Sequence, residues 1–239
     1  MKFKTKIGNL PELRSACLVL GVFSNQHLSE PAARVDEASS GYLSRMLKKN
    51  HMDGEQEQTL MLHEVPGVAC DLVLLVGCGK KKQLNPANYR KITAAALAEI
   101  VKNRVTEAIW TLHAPAPVSA DAYRTVRDTV LTTADFSYRF DHMKSAPKLP
   151  KRPLKTLGFW VSDKTGRKTV MQAISHGQAI SRGVALAKDL GNLPGNICTP
   201  SYLADQALEL GKHSPKLKVS ILEEKEMRKL GMGALLAVS

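Results

Sequence analysis

The chain has 239 residues, of which 44% are hydrophobic and 23% charged, a composition ordinary for a globular protein with a sizeable core. No apolar run of signal-peptide length follows the N-terminal lysines, and no stretch approaches the roughly eighteen apolar residues of a membrane span. We therefore expect a cytoplasmic protein with no membrane partner. The net charge of +12 and the pI near 9.6 make a polyanion a reasonable partner.

The first half of the chain alternates short apolar runs with helical patterns, which predicts an α/β fold built on a mixed, mostly parallel sheet. Four runs have the length and composition of strands, at 16–23, 59–65, 72–76 and 108–113. The run at 72–76 is apolar at every position. We expect it to lie centrally in the sheet with both faces covered.

Two helices are predicted in the same region. Asn85 and Pro86 suit an N-cap and a first helical residue, and apolar residues then recur at helical spacing from Tyr89 to Ile100. The segment 120–136 carries a similar apolar stripe. Helices on both faces of the sheet would give a three-layer domain.

Residues 137–155 interrupt this alternation with three prolines and a cluster of cations, which predicts a long surface loop. A strand is predicted at 154–162. An apolar seam from Val170 to Ala187 then indicates one helix of several turns. We assign 1–166 to an N-terminal α/β domain and 167–190 to a linker helix.

The segment 191–239 is predicted to begin a second α/β domain. Thr199 and Pro200 suit the start of a helix, and Gly211 suits its end. Strands are predicted at 217–223 and 233–238. Two strands cannot bury both faces of a sheet, so we expect this segment to need further sequence, another chain or the N-terminal domain to cover it.

The sequence Gly77-Cys78-Gly79-Lys80 follows the most apolar strand, where α/β folds commonly bind phosphate. It lacks the third glycine of a dinucleotide fingerprint and the GK[ST] ending of a P-loop. The helix predicted from Asn85 also begins too far along the chain for its amides to surround the glycines. We interpret the motif as a tight turn with no ligand.

Histidine, cysteine and serine spacing gives no catalytic or metal signature. The seven histidines contain no HExxH pair, and no serine has a GxSxG context. The four cysteines, Cys17, Cys70, Cys78 and Cys198, show no CxxC spacing, and three of them lie among apolar or small neighbours, as reduced core thiols do. We predict no catalytic residue, no metal ligand and no cofactor in this chain.

The most informative segments are AKDLGNLPGNICTP at 187–200, LGMGALLAV at 230–238, RSACLVLGVF at 14–23, LLVGCGK at 74–80 and SHGQAISRGVALAKDLGNLPGN at 175–196. Together they resemble the leucyl aminopeptidases, peptidase family M17. The family signature Asn-Thr-Asp-Ala-Glu-Gly-Arg and the Lys and Asp metal-ligand segments do not occur in these 239 residues. The chain therefore resembles the N-terminal part of such an enzyme, and no family catalytic or metal residue can be transferred to it.

The resemblance implies a macro-domain-like N-terminal domain in a hexameric parent enzyme, closest to bacterial members of the family. That parent would release N-terminal residues from peptides, preferring leucine, with two divalent cations such as Mn or Zn. On this hypothesis the present segment supplies assembly and regulatory architecture and is inactive alone.

Asn192, Pro194 and Asn196 match an Asn-x-Pro-x-Asn segment of the same family at the domain junction. Asparagine closes local hydrogen bonds and proline fixes φ, so these residues suit a defined turn. We interpret them as a structural elbow.

DNA binding is the alternative function. Half of the net charge lies in residues 141–168, where eight cations face two aspartates. Some bacterial members of the resembling family also bind DNA, and few aromatic residues are interleaved with the cations, so we expect salt-sensitive contact with duplex backbone. The candidate DNA-binding residues are Lys144, Lys148, Lys151, Arg152, Lys155, Lys164, Arg167 and Lys168.

Overall fold

The structure is a computed structural model that describes residues 1–113, 122–145, 154–162, 165–214 and 216–238. The strands are β1 (Lys2–Ile7), β2 (Cys17–Phe23), β3 (His27–Leu28), β4 (Thr59–His63), β5 (Leu72–Gly79), β6 (Glu107–Trp110) and β7 (Thr156–Val161). The helices are α1 (Glu30–Ala38), α2 (Tyr42–Lys49), α3 (Pro86–Lys102), α4 (Ala122–Ser137), α5 (Thr165–Asn192), α6 (Pro200–His213), α7 (Glu224–Lys229) and α8 (Gly233–Leu236).

The sheet has the order β1-β7-β6-β2-β5-β4, with the short β3 paired to the end of β2. The first five strands in this order are parallel to their neighbours, whereas β4 is antiparallel to β5. The predicted mixed, mostly parallel sheet is confirmed. The strand β5 is buried from Val73 to Gly79, as its unbroken apolar run predicts, and lies one strand in from the edge.

Helices cover both faces of the sheet, so the predicted three-layer architecture is also confirmed. Alternate side chains of β2 point to opposite faces, and Leu18 and Leu20 pack with Val35 and Leu43 of α1 and α2. On the other face, Val19 belongs to a second core with residues of α3, α4 and α5.

The helix α3 begins as predicted, because the Asn85 side chain accepts a hydrogen bond of 2.9 Å from the backbone N–H of Asn88. Its apolar stripe, from Tyr89 to Ile100, is buried. The helix α4 also matches its prediction in the residues that the structure describes, whereas 120 and 121 lie outside them.

The linker helix predicted at 167–190 lies within α5. Val170, Ala173 and Gly177 of its apolar seam are buried. The seam then becomes exposed, since Ile180 and Val184 keep 45% and 46% of their surface open to solvent. Only the first half of the predicted seam therefore packs on the described part of the chain.

Three elements, β1, α1 and α2, were not predicted from the sequence. The strand β1 is at the edge of the sheet and carries lysines at alternate positions, which discourage pairing with another chain. Because of these charges, the segment lacks the apolar run by which the other strands were predicted. The helix α1 begins where the Ser29 hydroxyl accepts a hydrogen bond from the backbone N–H of Ala32.

The chain divides into two compact units, residues 1–185 and 186–239. The second unit contains α6, α7 and α8. At the start of α6, the Thr199 hydroxyl accepts a hydrogen bond of 3.3 Å from the backbone N–H of Tyr202, as predicted, but α6 continues past Gly211 to His213. None of the described helices in either unit has the length and apolar character to cross a membrane.

The strands predicted at 217–223 and 233–238 are wrong. Within the described residues, 217–223 has no regular structure, and α8 begins at Gly233. A strand requires a neighbour to satisfy its backbone hydrogen bonds, and no described residue pairs with either segment. Their apolar side chains are consequently exposed, with Leu217 at 46% and Leu235 at 50%.

Candidate functional site

Four of the eight candidate DNA-binding residues can be located. Lys148, Lys151, Arg152 and Lys164 lie outside the described residues. Lys144, Lys155, Arg167 and Lys168 are all exposed. Exposure is necessary for contact with a partner but also typical of any surface cation.

The located cations lie at two opposite edges of the sheet. Lys155 precedes β7, whereas Arg167 and Lys168 lie in the first turn of α5, beyond the carboxyl end of β7. A strand rises about 3.3 Å per residue, so roughly 20 Å of backbone separates the two positions along the strand direction. Lys144 lies on the same side as Lys155, because it shares Asp141 with Arg139, and Arg139 lines one groove with Lys155. The structure therefore divides these four residues between an amino edge and a carboxyl edge.

Ion pairs neutralise part of the positive charge at the amino edge of the sheet. The Asp141 carboxylate accepts hydrogen bonds from Lys144 Nζ at 2.9 Å and from Arg139 Nε at 2.9 Å. The hydrogen bond from Lys144, followed by that from Arg139, lowers the pKa of Asp141. One carboxylate between two cations leaves a local excess of positive charge. Arg139 was not among the predicted residues, because it lies just before the segment that the charge count delimits.

The glycines of the Gly77–Lys80 motif have a packing role. A Cβ at Gly77 would lie 1.9 Å from the carbonyl oxygen of Glu55, so only glycine fits against that backbone. Gly79 has φ of +68° and donates its N–H to the Gly54 carbonyl at 2.9 Å. The predicted turn is wrong for these residues, because Gly77, Cys78 and Gly79 are the last residues of β5, which pairs with β2. The helix α3 begins only at Pro86.

Histidines in the described residues lie apart from one another. His63 is exposed at the end of β4, and His176 contacts Tyr123 through Nδ1. His113 is buried against Phe159 with the ring centroids 5.6 Å apart, and burial lowers its pKa to about 4. Across the described ranges, no group of three or more His, Cys, Asp or Glu side chains is arranged to hold a metal ion.

The cysteines behave as predicted for core thiols. Cys17, Cys70 and Cys78 are buried and reduced. Burial raises the pKa of Cys17 and Cys78 to about 12 and that of Cys70 to about 11, so all three remain thiols at neutral pH. Cys198 is half-buried.

Residues 192–198 form the predicted elbow. Asn192 is the last residue of α5, and the backbone N–H of Ile197 donates to the carbonyl of Pro194 at 2.9 Å, closing a turn. Cys198 N–H donates to the same carbonyl at 2.9 Å. The turn leads directly to the Thr199 cap of α6.

A buried polar chain that the sequence pattern does not reveal joins α3, α4 and β6. Tyr89 Oη lies 2.8 Å from Thr129 Oγ1, and Trp110 Nε1 donates to Tyr89 Oη at 3.5 Å. Burial raises the pKa of Tyr89 to about 12. These three residues are far apart in sequence, and their apolar surroundings indicate a role in fixing the core.

The three-layer unit followed by a long helix is the fold of the leucine aminopeptidase class. A tomato leucine aminopeptidase variant has a TM-score of 0.75 over 97% of this chain and 46% of that protein, at 19% identity. A bottromycin maturation enzyme described in complex with Mn has a TM-score of 0.66 over 91% of this chain and 40% of that protein, also at 19% identity. At 19% identity, these likenesses show a shared fold and nothing more.

Sequence comparison gives the family. Residues 19–147 match the cytosol aminopeptidase family, N-terminal domain, and residues 185–239 match the cytosol aminopeptidase family, catalytic domain. A probable cytosol aminopeptidase of Nitrosococcus oceani is 41% identical over 100% of this chain and 48% of its own length. One from Thioalkalivibrio sulfidiphilus is 43% identical over the same shares. The chain belongs to the cytosol aminopeptidase family, and it spans about half the length of these curated relatives.

Proposed function

We propose that this chain is the N-terminal part of a cytoplasmic leucyl aminopeptidase, which releases N-terminal residues from peptides with two divalent cations, Mn or Zn. The described residues do not fit a two-metal centre, because they contain no suitable cluster of ligands. No step of hydrolysis is therefore assigned to them. Their proposed contribution is architecture: a folded N-terminal unit, a linker helix and the beginning of the catalytic domain.

The exposed apolar surface of residues 186–239 carries this proposal. This unit begins at residue 186, one residue after the start of the match to the catalytic domain. Its segment 217–223 has the composition of a strand but pairs with no strand among the described residues. Leu203 and Leu210 of α6 each expose 45% of their surface, and Leu230 exposes 65%. Apolar surface of this extent is typical of a contact that further sequence or another chain covers.

A leucine-release assay tests the proposal. The 239-residue protein is compared with a chimera in which it continues into the remaining C-terminal sequence of the Nitrosococcus oceani relative. We expect Mn- or Zn-dependent release of leucine from a leucyl peptide by the chimera and none by the 239-residue protein. Release by the 239-residue protein alone would contradict the assignment of a purely architectural role.

We also propose that the parent enzyme is a hexamer. The exposed half of the α5 seam supports this, because Ile180 and Val184 offer apolar surface next to Gly183, around which there is open space. The mass of the chimera in solution tests it: six times the chain mass is expected, and a monomer contradicts it.

Duplex DNA binding is the second candidate function. It is favoured by the exposure of Lys144, Lys155, Arg167 and Lys168 in a chain of net charge +12. Since these residues lie at two edges of the sheet, they would contact the phosphate backbone of the DNA at two separate places.

A further inference from the structure

An apolar groove of about 950 Å³ opens at the amino edge of the sheet, where α3 and α4 end. Its apolar lining includes Leu97 and Val101 of α3, Phe136 of α4 and Leu154 before β7. Val101 and Phe136 expose 40% and 43% of their surface. Large apolar side chains grouped in a groove commonly mark a contact site.

Cations surround this apolar lining. Lys2, Arg139 and Lys155 line the groove, and among its described lining residues none is acidic. Asp141 neutralises part of the charge of Arg139, but it is shared with Lys144, so the region keeps a positive excess. The groove therefore combines apolar contact area with a field that favours anions.

The backbone holds two of these cations side by side. Lys2 N–H donates to the Lys155 carbonyl at 2.8 Å, and Lys155 N–H donates to the Thr106 carbonyl at 2.8 Å. The first bond places the backbones of Lys2 and Lys155 side by side, and the second ties Lys155 to the residue before β6. Two cations with fixed backbones lose less entropy on binding than two cations on independent loops would.

We propose that this groove binds an acidic peptide segment of a partner protein, one that carries apolar side chains between its carboxylates. The apolar residues of the peptide would cover Val101 and Phe136, while its carboxylates would lie against Lys2, Arg139 and Lys155. Duplex DNA is a poorer fit, because contacts with backbone phosphates leave the apolar lining exposed. This partner site lies beyond the proposed aminopeptidase function.

Fluorescence anisotropy with a labelled glutamate–leucine peptide tests the proposal on the 239-residue protein. Phe136→Ser removes apolar area and Lys155→Glu reverses a charge at the groove. The matched controls are Met171→Ser, an equally exposed apolar residue on α5, and Lys49→Glu, an exposed cation on α2. We expect each groove variant to weaken binding about tenfold, equivalent to about 1.4 kcal/mol, and each control to change it less than about twofold.

Three outcomes would overturn the proposal. The first is unchanged affinity in both groove variants. The second is equal binding of a peptide in which lysine replaces glutamate. The third is a combination of two results: Lys155→Glu weakens binding of a duplex DNA probe, and Phe136→Ser leaves peptide binding unchanged. That combination would assign the cations to phosphate binding. Circular dichroism verifies folding, and Val101→Ser replaces Phe136→Ser if that variant unfolds.

Discussion

Tyr123 Oη and His176 Nδ1 lie 2.6 Å apart, joining α4 to α5. The two rings meet edge to face with centroids 5.8 Å apart. This contact lies one residue before Gly177, where a Cβ would lie 2.8 Å from Val130 Cβ of α4. It therefore helps to hold the first half of α5 against α4.

A double-mutant cycle measures this contact. We expect Tyr123→Phe and His176→Ala each to lower the free energy of unfolding modestly, with a coupling of about 0.5–1.5 kcal/mol between them. Urea denaturation of the two single variants and the double variant provides the values. Strictly additive effects would show that the hydrogen bond does not stabilise the α4–α5 contact.

The close approach at Gly177 predicts opposite effects for two glycines of the same helix. A Cβ at Gly177 would lie 2.8 Å from Val130 Cβ, whereas one at Gly183 would meet nothing within 4 Å. Gly177→Val should destabilise the protein by about 1–3 kcal/mol through overpacking, and Gly183→Ala should stabilise it by up to about 1 kcal/mol through helix propensity. Thermal and urea denaturation compare them. Equal effects of the two substitutions would contradict the packing that the structure gives at Gly177.

Burial of His113 predicts a pH dependence of stability. Its pKa is lowered from 6.5 to about 4, chiefly by desolvation, and its Nδ1 has no hydrogen-bond partner among the described residues. Below pH 6.5 the unfolded chain binds a proton that the folded chain does not, so stability falls as the pH drops from about 6.5 to about 4. The full effect is roughly 3 kcal/mol.

His113→Gln isolates this contribution, since glutamine keeps an amide donor but does not titrate. The difference between the unfolding free energies of the wild type and this variant should shift against the wild type by roughly 3 kcal/mol between pH 7 and pH 4. Parallel pH profiles of the two proteins would mean that His113 does not titrate in this way.

The division of cations between two edges of the sheet gives the DNA hypothesis a specific test. Neutralising Lys148, Lys151, Arg152 and Lys155 together should weaken duplex binding and reduce its salt slope by about 0.9 per lost phosphate contact. Neutralising Arg167 and Lys168 should have a separate, additive effect. Affinity of both variants equal to that of the wild type, measured across a salt series, would remove these residues from the hypothesis.

The predictable parts of the fold are those that local sequence determines. Asn85 and Pro86 specify the start of α3, and its apolar stripe specifies the buried face. Residues 217–223 have a strand composition, but a strand forms only with a neighbour, which the described residues do not offer. The edge strand β1 shows the converse case. Its alternating lysines are not typical of a strand, but β7 offers it a neighbour and the two strands pair.

The arrangement of the candidate site could likewise be predicted only in part. The cations from Lys144 to Lys168 are close along the chain, yet β7 carries the later ones to the opposite edge of the sheet. Arg139, Lys2 and Lys155 come together because the starts of β1 and β7 are neighbours. Spacing in sequence gives charge density, whereas sheet order decides which charges share a surface.

Hydrogen exchange across residues 217–223 tests the central claim, that residues 186–239 are the beginning of a catalytic domain. The amides of this segment are compared in the 239-residue protein and in the chimera with the Nitrosococcus oceani sequence. We predict strong protection in the chimera only, with protection of β2 and β5 equal in both proteins. Equal exchange of 217–223 in the two proteins would contradict the claim.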